Sequence, residues 1–491
     1  MSVVQVLALG GIFFVLYRYL YRTIGVERLG IWSLVLASTS VSRIADLGLS
    51  ASVVKFAAKY IAQGREDRVS GVIQTAALSA GALIGVILLL AYPLTSWFLT
   101  LVMQRSALAE ALSLLPYALA SLWLSVISSV FLSGLDGFQR IDIRSSLLMM
   151  SAAFHLVLSF LLIPAHGLIG LALASLIQAV VVMIGSWLLL RRYVQTLPPV
   201  PCQWDGNLFK EMLGYGVNFQ LVSIAGMLYD PTTKGLLAHF GGLAMVGFYE
   251  MAARVISLLR SLIVSANQVL VPAIANLHEI RPEGIPVLYK ESYRLLLYLS
   301  LPSYSIIVGC APILSEIWIG HYESTFVFSV ILLAIGWFLN TINGPAYFAN
   351  LGTGELRWNT IGHVSIALLN GGLGFLLGKF LGGEWVIVAW TLSLAVGSNI
   401  IILSYQLKHQ IPMAELLPER MGWLTLASCA GLFTSLLIYY QVRSLWGLFI
   451  ASNLILLAFT SIIALPIWMH PMRKRLIGWI TEDLLKTART T

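Results

Sequence analysis

Charge is scarce in this chain: 11% of its 491 residues are Asp, Glu, Lys or Arg, where an ordinary soluble domain carries roughly 25%. With 58% of the residues hydrophobic, that is more apolar surface than an aqueous protein can cover, and lipid is the solvent it calls for. Long polar tracts are missing as well. Apolar runs continue from Val3 to Met469, which excludes a string of soluble domains and implies one membrane body. Cysteine is almost absent: Cys202, Cys310 and Cys429 stand far apart without a CxxC pair, so neither a disulfide framework nor a metal site is expected. They read as small buried residues. The first apolar run, Ser2 to Leu16, has no basic segment before it and no small-residue cleavage site after it, so it reads as the first helix and not as a signal peptide. A formal charge of +8 is present, yet its basic residues are dispersed over short loops outside any nucleic-acid module, and no nucleic-acid partner is expected. No cofactor is expected either.

Lipid offers the backbone no hydrogen-bond partner, so each crossing segment closes its own bonds as a helix of roughly 20 residues. Charge-poor stretches predict about fourteen such helices, near 2–20, 29–60, 72–100, 110–134, 145–164, 167–190, 208–229, 243–275, 293–314, 324–349, 358–379, 385–407, 421–440 and 445–469. Pro164 and Gly167 divide one long apolar run into two helices joined by a tight turn. The fold class is therefore all-α and polytopic. Orientation follows from Lys and Arg at the helix ends. With the amino terminus inside, most basic residues collect on the inner loops and tail, while Arg18, Arg22, Arg28, Arg105, Lys234, Lys379 and Arg443 fall outside. Both termini are then cytoplasmic, although Arg18 and Arg22 follow helix 1 with no basic residue before it. The tail from Arg473, with Trp479 and Leu484 among charges, has the pattern of an amphipathic helix on anionic lipid.

An internal repeat is visible. Sliding the chain by 217 positions superposes Gly25, Gly30, Ser40, Arg43, Val54 and Ala58 on Gly242, Gly247, Ser257, Arg260, Val271 and Ala275, and at nearly the same offset Gly134 meets Gly352. A duplicated six-helix bundle follows, and transporters built from repeats bind substrate between the halves. The expected segments are an N-lobe at 1–193, a proline-bearing cytoplasmic linker at 194–207, a C-lobe at 208–410, two further helices at 411–472 and the tail at 473–491.

The stretch Gly25 to Trp32 (GVERLGIW) followed by Ala45 to Ser50 (ADLGLS) resembles a signature of Wzx-type polysaccharide flippases, members of the multidrug/oligosaccharidyl-lipid/polysaccharide exporter superfamily. Leu228-Tyr229-Asp230, Phe240-Gly241-Gly242, Val246-Gly247-Phe248-Tyr249, Ala252-Ala253-Arg254 and Val271-Pro272 resemble a second one. Pro231, and a short segment before helix 1, depart from the pattern. The resemblance implies two pseudo-symmetric six-helix lobes around a central cavity plus two C-terminal helices, and a flippase carrying a polyprenyl-pyrophosphate-linked glycan to the outer leaflet of a bacterial inner (plasma) membrane. Membrane lipids, and a polysaccharide polymerase and glycosyltransferases, are the implied partners of a chain working as a monomer.

Intramembrane arginines carry the mechanistic expectation, because a guanidinium keeps its charge and costs at least about 2.5–3.5 kcal/mol in mid-bilayer. Arg43 and Arg260 occupy equivalent repeat positions, roughly 20 Å past Gly30 and Gly247, and suit the oxygens of a diphosphate. A structural alternative pairs Arg43 with Asp46 and Arg254 with Glu250 on their own helices. Arg254 and Arg260 point about 120 degrees apart on an ideal helix. Arg18 and Arg22 are further cavity cations, or interfacial anchors among Tyr17, Tyr19 and Tyr21. Asp46, Asp230, Glu250 and Lys234 are the candidates for coupling or gating, with Asp230 and Lys234 an i,i+4 pair. Asn218, Gln220, Asn267, Gln268, Asn340, Asn343 and Asn370 are candidates for sugar hydroxyls or for bonds between helices, and His155 and His363 read as structural. A multidrug exporter or lipid II flippase of the same superfamily is the nearest alternative. A membrane glycan polymerase, ligase or glycosyltransferase is the alternative from another class, but the chain has no DxD pair, large outer loop or paired nucleophile and base.

Overall fold

The computed structural model describes residues 3–40, 48–216, 226–267, 270–417 and 421–473. All regular structure among them is helical: α1 (Val3–Ile24), α2 (Val26–Ser40), α3 (Leu49–Ala62), α4 (Glu66–Val102), α5 (Arg105–Gly137), α6 (Ile141–Arg191), α7 (Gly206–Gly216), α8 (Tyr229–Asn267), α9 (Leu270–Ile280), α10 (Gly284–Trp318), α11 (Ser324–Ile342), α12 (Gly344–Thr353), α13 (Arg357–Leu381), α14 (Glu384–His409), a single turn α15 (Met413–Leu416) and α16 (Met421–Met469). Nine helices of the described residues are long and apolar enough to cross a bilayer. Three of them, α6, α8 and α16, contain non-helical glycines at Gly167, Gly242 and Gly447.

The break expected at Pro164 to Gly167 is a reversal of direction. His155 Nε2 meets Ser175 Oγ at 3.2 Å across it, two groups that a straight helix would hold roughly 30 Å apart at a separation of twenty positions. Pro231, the departure from the family pattern, falls in the first turn of α8, where its missing N–H costs nothing. The exposed surface is apolar: Leu89, Leu407 and Phe449 are 78%, 79% and 81% exposed. In water such a shell would aggregate; in a bilayer it is the wetted face.

The chain divides into two compact units, one of Met1–Met251 with Ala367–Ala389, the other of Ala252–Ile366 with Trp390–Thr491. In the first, α4 and α5 pack together and the connection after α6 is sewn onto α4. Gln74, fully buried, accepts the amides of Cys202 and Gln203 at 3.0 and 3.1 Å, Trp204 donates to Ser79 at 2.9 Å, and Asp205 N–H donates to Thr75 at 3.1 Å. Several hydrogen bonds of about 1 kcal/mol each hold this proline-bearing stretch in place. In the second unit α10 packs on α16, and a cluster around Tyr289, Tyr293, Ile401 and Tyr405 forms its core.

The same packing device recurs in both units. A Cβ on Gly137 would sit 2.8 Å from Ala57 and 3.5 Å from the Val54 carbonyl; one on Gly352 would sit 2.8 Å from Ile274 and 3.1 Å from the Val271 carbonyl. Val54 and Ala57 become Val271 and Ile274 at the offset of 217 seen in the sequence, while the two glycines are 215 apart, so the receiving helix face is repeated and the glycine that meets it has shifted. The cysteines differ from expectation: Cys202 and Cys429 are exposed and Cys310 is half-buried. Cys429 lies on a helix whose outer face needs only to be apolar for lipid, and Cys202 on the surface connection, so neither required a packed interior.

Candidate functional site

Two polar centres interrupt the apolar interior, one in each unit. In the first unit Gly242 takes φ 81° and ψ 173°, a region that a side chain strongly disfavours, and there α8 folds into a hairpin. Lys234 on one limb meets Glu250 on the other at 2.7 Å, and the ammonium also reaches Asp230 at 2.7 Å. Both Lys234 and Glu250 are buried, at 5% and 4% exposure. Glu250 further accepts from Tyr17 of α1 and Ser33 of α2, each at 2.9 Å. Ser33 and Glu250 are 217 residues apart, so each occupies the other's place in the repeat. The surrounding backbones touch in the same reciprocal way: Gly30 abuts the Leu243 carbonyl and Gly247 the Val26 carbonyl, where an added Cβ would come to 2.0 and 2.4 Å. A carboxylate with three donors in low dielectric is strongly held, and removing one partner of such a pair costs about 3–5 kcal/mol.

In the second unit a cavity of about 470 Å³ is lined by Arg260, Asn340, Asn343, Tyr347, His363 and Ser398 together with apolar residues. The Arg260 guanidinium lies 4.0 Å from the centre of the Trp337 ring, and Trp337 in turn stands edge-on to Trp390 at 6.0 Å. Arg260 Nε is buried with no hydrogen-bond partner among the described residues. Stacking on an aromatic ring contributes about 0.5–2 kcal/mol, less than the roughly 2.5–3.5 kcal/mol or more that such a charge costs in mid-bilayer. The rest of that cost falls to what the charge faces, a cavity with polar side chains set among apolar ones. Asn340 donates to Ser398 at 2.8 Å, and Thr341 shares a 3.1 Å bond with Tyr304, so the amide and hydroxyl groups on this wall are pre-oriented. His363 stands edge-on to Tyr347 at 5.6 Å. One fixed cation, amides, a phenol and an imidazole around a polar space suit a ligand that is anionic at one end and rich in hydroxyls.

Of the candidates named from sequence, Arg260, Asn340 and Asn343 come together at this cavity, and His363, which read as structural, lines it with them. Arg43, Asp46, Asn218, Gln220 and Gln268, and the side chain of Asn267, lie outside the described residues, as does the tail beyond Arg473. Arg254 is half-buried, engaged by neighbours, and does not line the cavity. Arg18 is half-buried and Arg22 exposed. Of the tyrosines beside them, Tyr17 is the buried donor to Glu250, Tyr19 packs on Phe160 at 4.4 Å, and Tyr21 lies against Phe248 at 6.3 Å. The Asp230–Lys234 pair is formed, but as part of a three-residue cluster with Glu250. Asn370 is a helix-to-helix tie, donating to Thr233 and to the Tyr229 carbonyl at 3.0 and 3.3 Å. Sequence reasoning missed the Lys234–Glu250 pair and the Trp337 platform. The first was available as a signal, since 234 and 250 are equidistant from Gly242; the second had none.

This arrangement of helices is the fold of transporters of the multidrug/oligosaccharidyl-lipid/polysaccharide superfamily. The chain is similar to an inward-facing multidrug resistance MATE family transporter (TM-score 0.71, 15% identity, 84% of this chain and 98% of that one). It is similar also to the lipid II flippase MurJ in an inward closed conformation (TM-score 0.69, 15% identity, 94% and 98%). A superfamily transporter from Pyrococcus furiosus, described as having a binding pocket of reverse polarity, aligns with TM-score 0.61 at 15% identity over 83% and 94%. By sequence, no curated protein matches. The profile of the polysaccharide biosynthesis protein family matches residues 2–278, and the chain belongs to that family.

Proposed function

We propose that this protein is a flippase that carries a polyprenyl-pyrophosphate-linked oligosaccharide from the inner to the outer leaflet of a bacterial plasma membrane, by alternating access and without covalent chemistry. The observation that carries this reading is Arg260: an undischargeable cation, stacked on Trp337, with a buried nitrogen lacking a partner among the described residues, in a cavity of amides and hydroxyls. A diphosphate satisfies the guanidinium with short charge-assisted bonds, and sugar hydroxyls satisfy Asn340, Asn343 and Tyr347. Membership of a polysaccharide biosynthesis family supports a glycan as cargo, with O-antigen or exopolysaccharide assembly as its setting and the polymerase and glycosyltransferases of that assembly as partners. Arg43, the repeat-mate of Arg260, is a second cation proposed to meet the diphosphate. The lobes 1–193 and 208–410 are the bodies proposed to rock, and the Glu250 cluster with Lys234 and Asp230 is the proposed gate, because opening between α1–α2 and the α8 hairpin breaks its bonds. The multidrug reading of the superfamily is disfavoured, since a fixed cation repels cationic drugs.

Reconstitution in liposomes with a fluorescent polyprenyl-diphosphate oligosaccharide tests this. Arg260→Ala is expected to slow leaflet exchange at least about tenfold, the equivalent of 1.4 kcal/mol, with an unchanged melting temperature, and Arg43→Ala to act in the same direction. Exchange at the native rate in Arg260→Ala refutes the proposed site, and absence of exchange by the native protein refutes the function.

A further inference from the structure

A second cavity lies in the second unit, where α10 ends and α16 approaches its Gly447 break. It measures about 290 Å³ and is lined by Tyr322, Tyr439, Tyr440, Arg443 and Ser444. Beneath it sits Glu316, buried at 7% exposure. Its Oε2 takes the Arg443 Nε at 2.7 Å, and its Oε1 accepts from the Tyr439 hydroxyl. That anchoring fixes the guanidinium by its inner edge. The two outer nitrogens make no hydrogen bond among the described residues, and the Arg443 side chain is 46% exposed. Tyr439 and Tyr440 stand edge-to-face at 5.2 Å, and Tyr322 is tilted against Tyr439 at 6.4 Å, so aromatic faces wall the space. Tyr322 and Tyr440 are 44% and 67% exposed.

Interfacial tyrosines commonly form a belt at the lipid headgroups, but a belt needs neither a concavity nor a buried carboxylate holding an arginine in place. The charge balance selects the ligand. Because Glu316 already neutralises Arg443, an anion gains little net attraction here. What is offered is a pair of oriented N–H donors, three hydroxyls and flat aromatic faces, the complement of a neutral pyranose, whose hydroxyls bond to the donors while its C–H face stacks on a ring. On the orientation given by the basic residues, Arg443 is on the outer side. From Ser324, beside this cavity, to Asn340, beside Arg260, α11 rises roughly 24 Å, so the two cavities are separate sites.

We propose that the Tyr322–Tyr440–Arg443 cavity is an outer-face subsite for neutral sugar, receiving the glycan end of the cargo; as to its cargo, it rests on the flippase reading above. Saturation-transfer NMR with the full-length protein in detergent, using chitobiose and maltose as probes, tests it apart from transport. Transfer to at least one disaccharide is expected with the native protein and with Arg260→Ala, and at least a fivefold loss with Tyr322→Ala/Tyr440→Ala, whose exposed side chains can be removed without altering the melting temperature. No transfer with the native protein, or undiminished transfer with the double variant, overturns the subsite. Displacement of the disaccharide by dihexanoyl-phosphatidylglycerol also overturns it, assigning the cavity to a phospholipid headgroup. Disaccharide binding that depends on these tyrosines, in a protein that fails to move the lipid-linked probe, sustains the subsite while the flippase reading falls.

Discussion

Glu250 and Arg260 stand on one helix, α8, roughly 15 Å apart along its axis, and their charges are handled in opposite ways. Glu250 is enclosed by Lys234, Tyr17 and Ser33; Arg260 has an aromatic platform and, beside open space, a buried nitrogen with no partner among the described residues. A charge whose bonds are filled from within holds elements together. One whose bonds are only half filled by the protein is set to bind something else. The difference separates residues that fasten from residues that receive, although both are ionisable groups in apolar helices and look alike in a sequence.

The comparison can be broken experimentally. The largest effect on stability is expected from Lys234→Met, which leaves the buried Glu250 without its cation at a cost of about 3–5 kcal/mol, seen as a lowered melting temperature in detergent; Glu250→Gln is expected to cost less, because Lys234 keeps Asp230 at 2.7 Å. The double variant is expected to regain most of that loss, and independent, additive losses would show that the pair is not a unit. Arg260→Ala is expected to leave stability within about 0.5 kcal/mol or to raise it, because no partner is orphaned; a fall as large as that of Glu250→Gln would place Arg260 among the fasteners. Gly247→Ala, which pushes a methyl group toward the Val26 carbonyl, is expected to cost about 1–3 kcal/mol. The smallest effect belongs to Asn340→Ala, about 1 kcal/mol from its bond to Ser398, with a weaker grip on the cargo detected as slower exchange at low substrate.

Much of the fold was legible because lipid makes hydropathy almost sufficient: with every backbone group obliged to bond within its own segment, run length gives helices, and Pro164 with Gly167 gives a reversal. The repeat was legible for a related reason. Gly30 and Gly247 allow backbone to meet backbone, a requirement only glycine satisfies, so the spacing survived where bulkier neighbours drifted. The site was read in part. Arg260 stood out because nothing acidic lies near it in sequence, and the cavity bears Asn340 and Asn343 with it, while His363, which read as structural, was not picked out. The bond of Tyr17 was not legible because its partner, Glu250, lies 233 residues further along the chain. Glu250 was weighed against Arg254, four residues on, because pairs within one helix are visible in a sequence while pairs across a hairpin are not.

By itself, then, the order of residues determined the solvent, the helices, their turning points and the twofold repetition, since each depends on local composition and on the self-sufficiency of helical hydrogen bonding. Only the tertiary structure decided which charges are neutralised and which face a cavity. That outcome depends on what the turn at Gly242 brings opposite Glu250, and on which ring comes to lie under Arg260: on distances of a few ångströms between residues far apart in the chain.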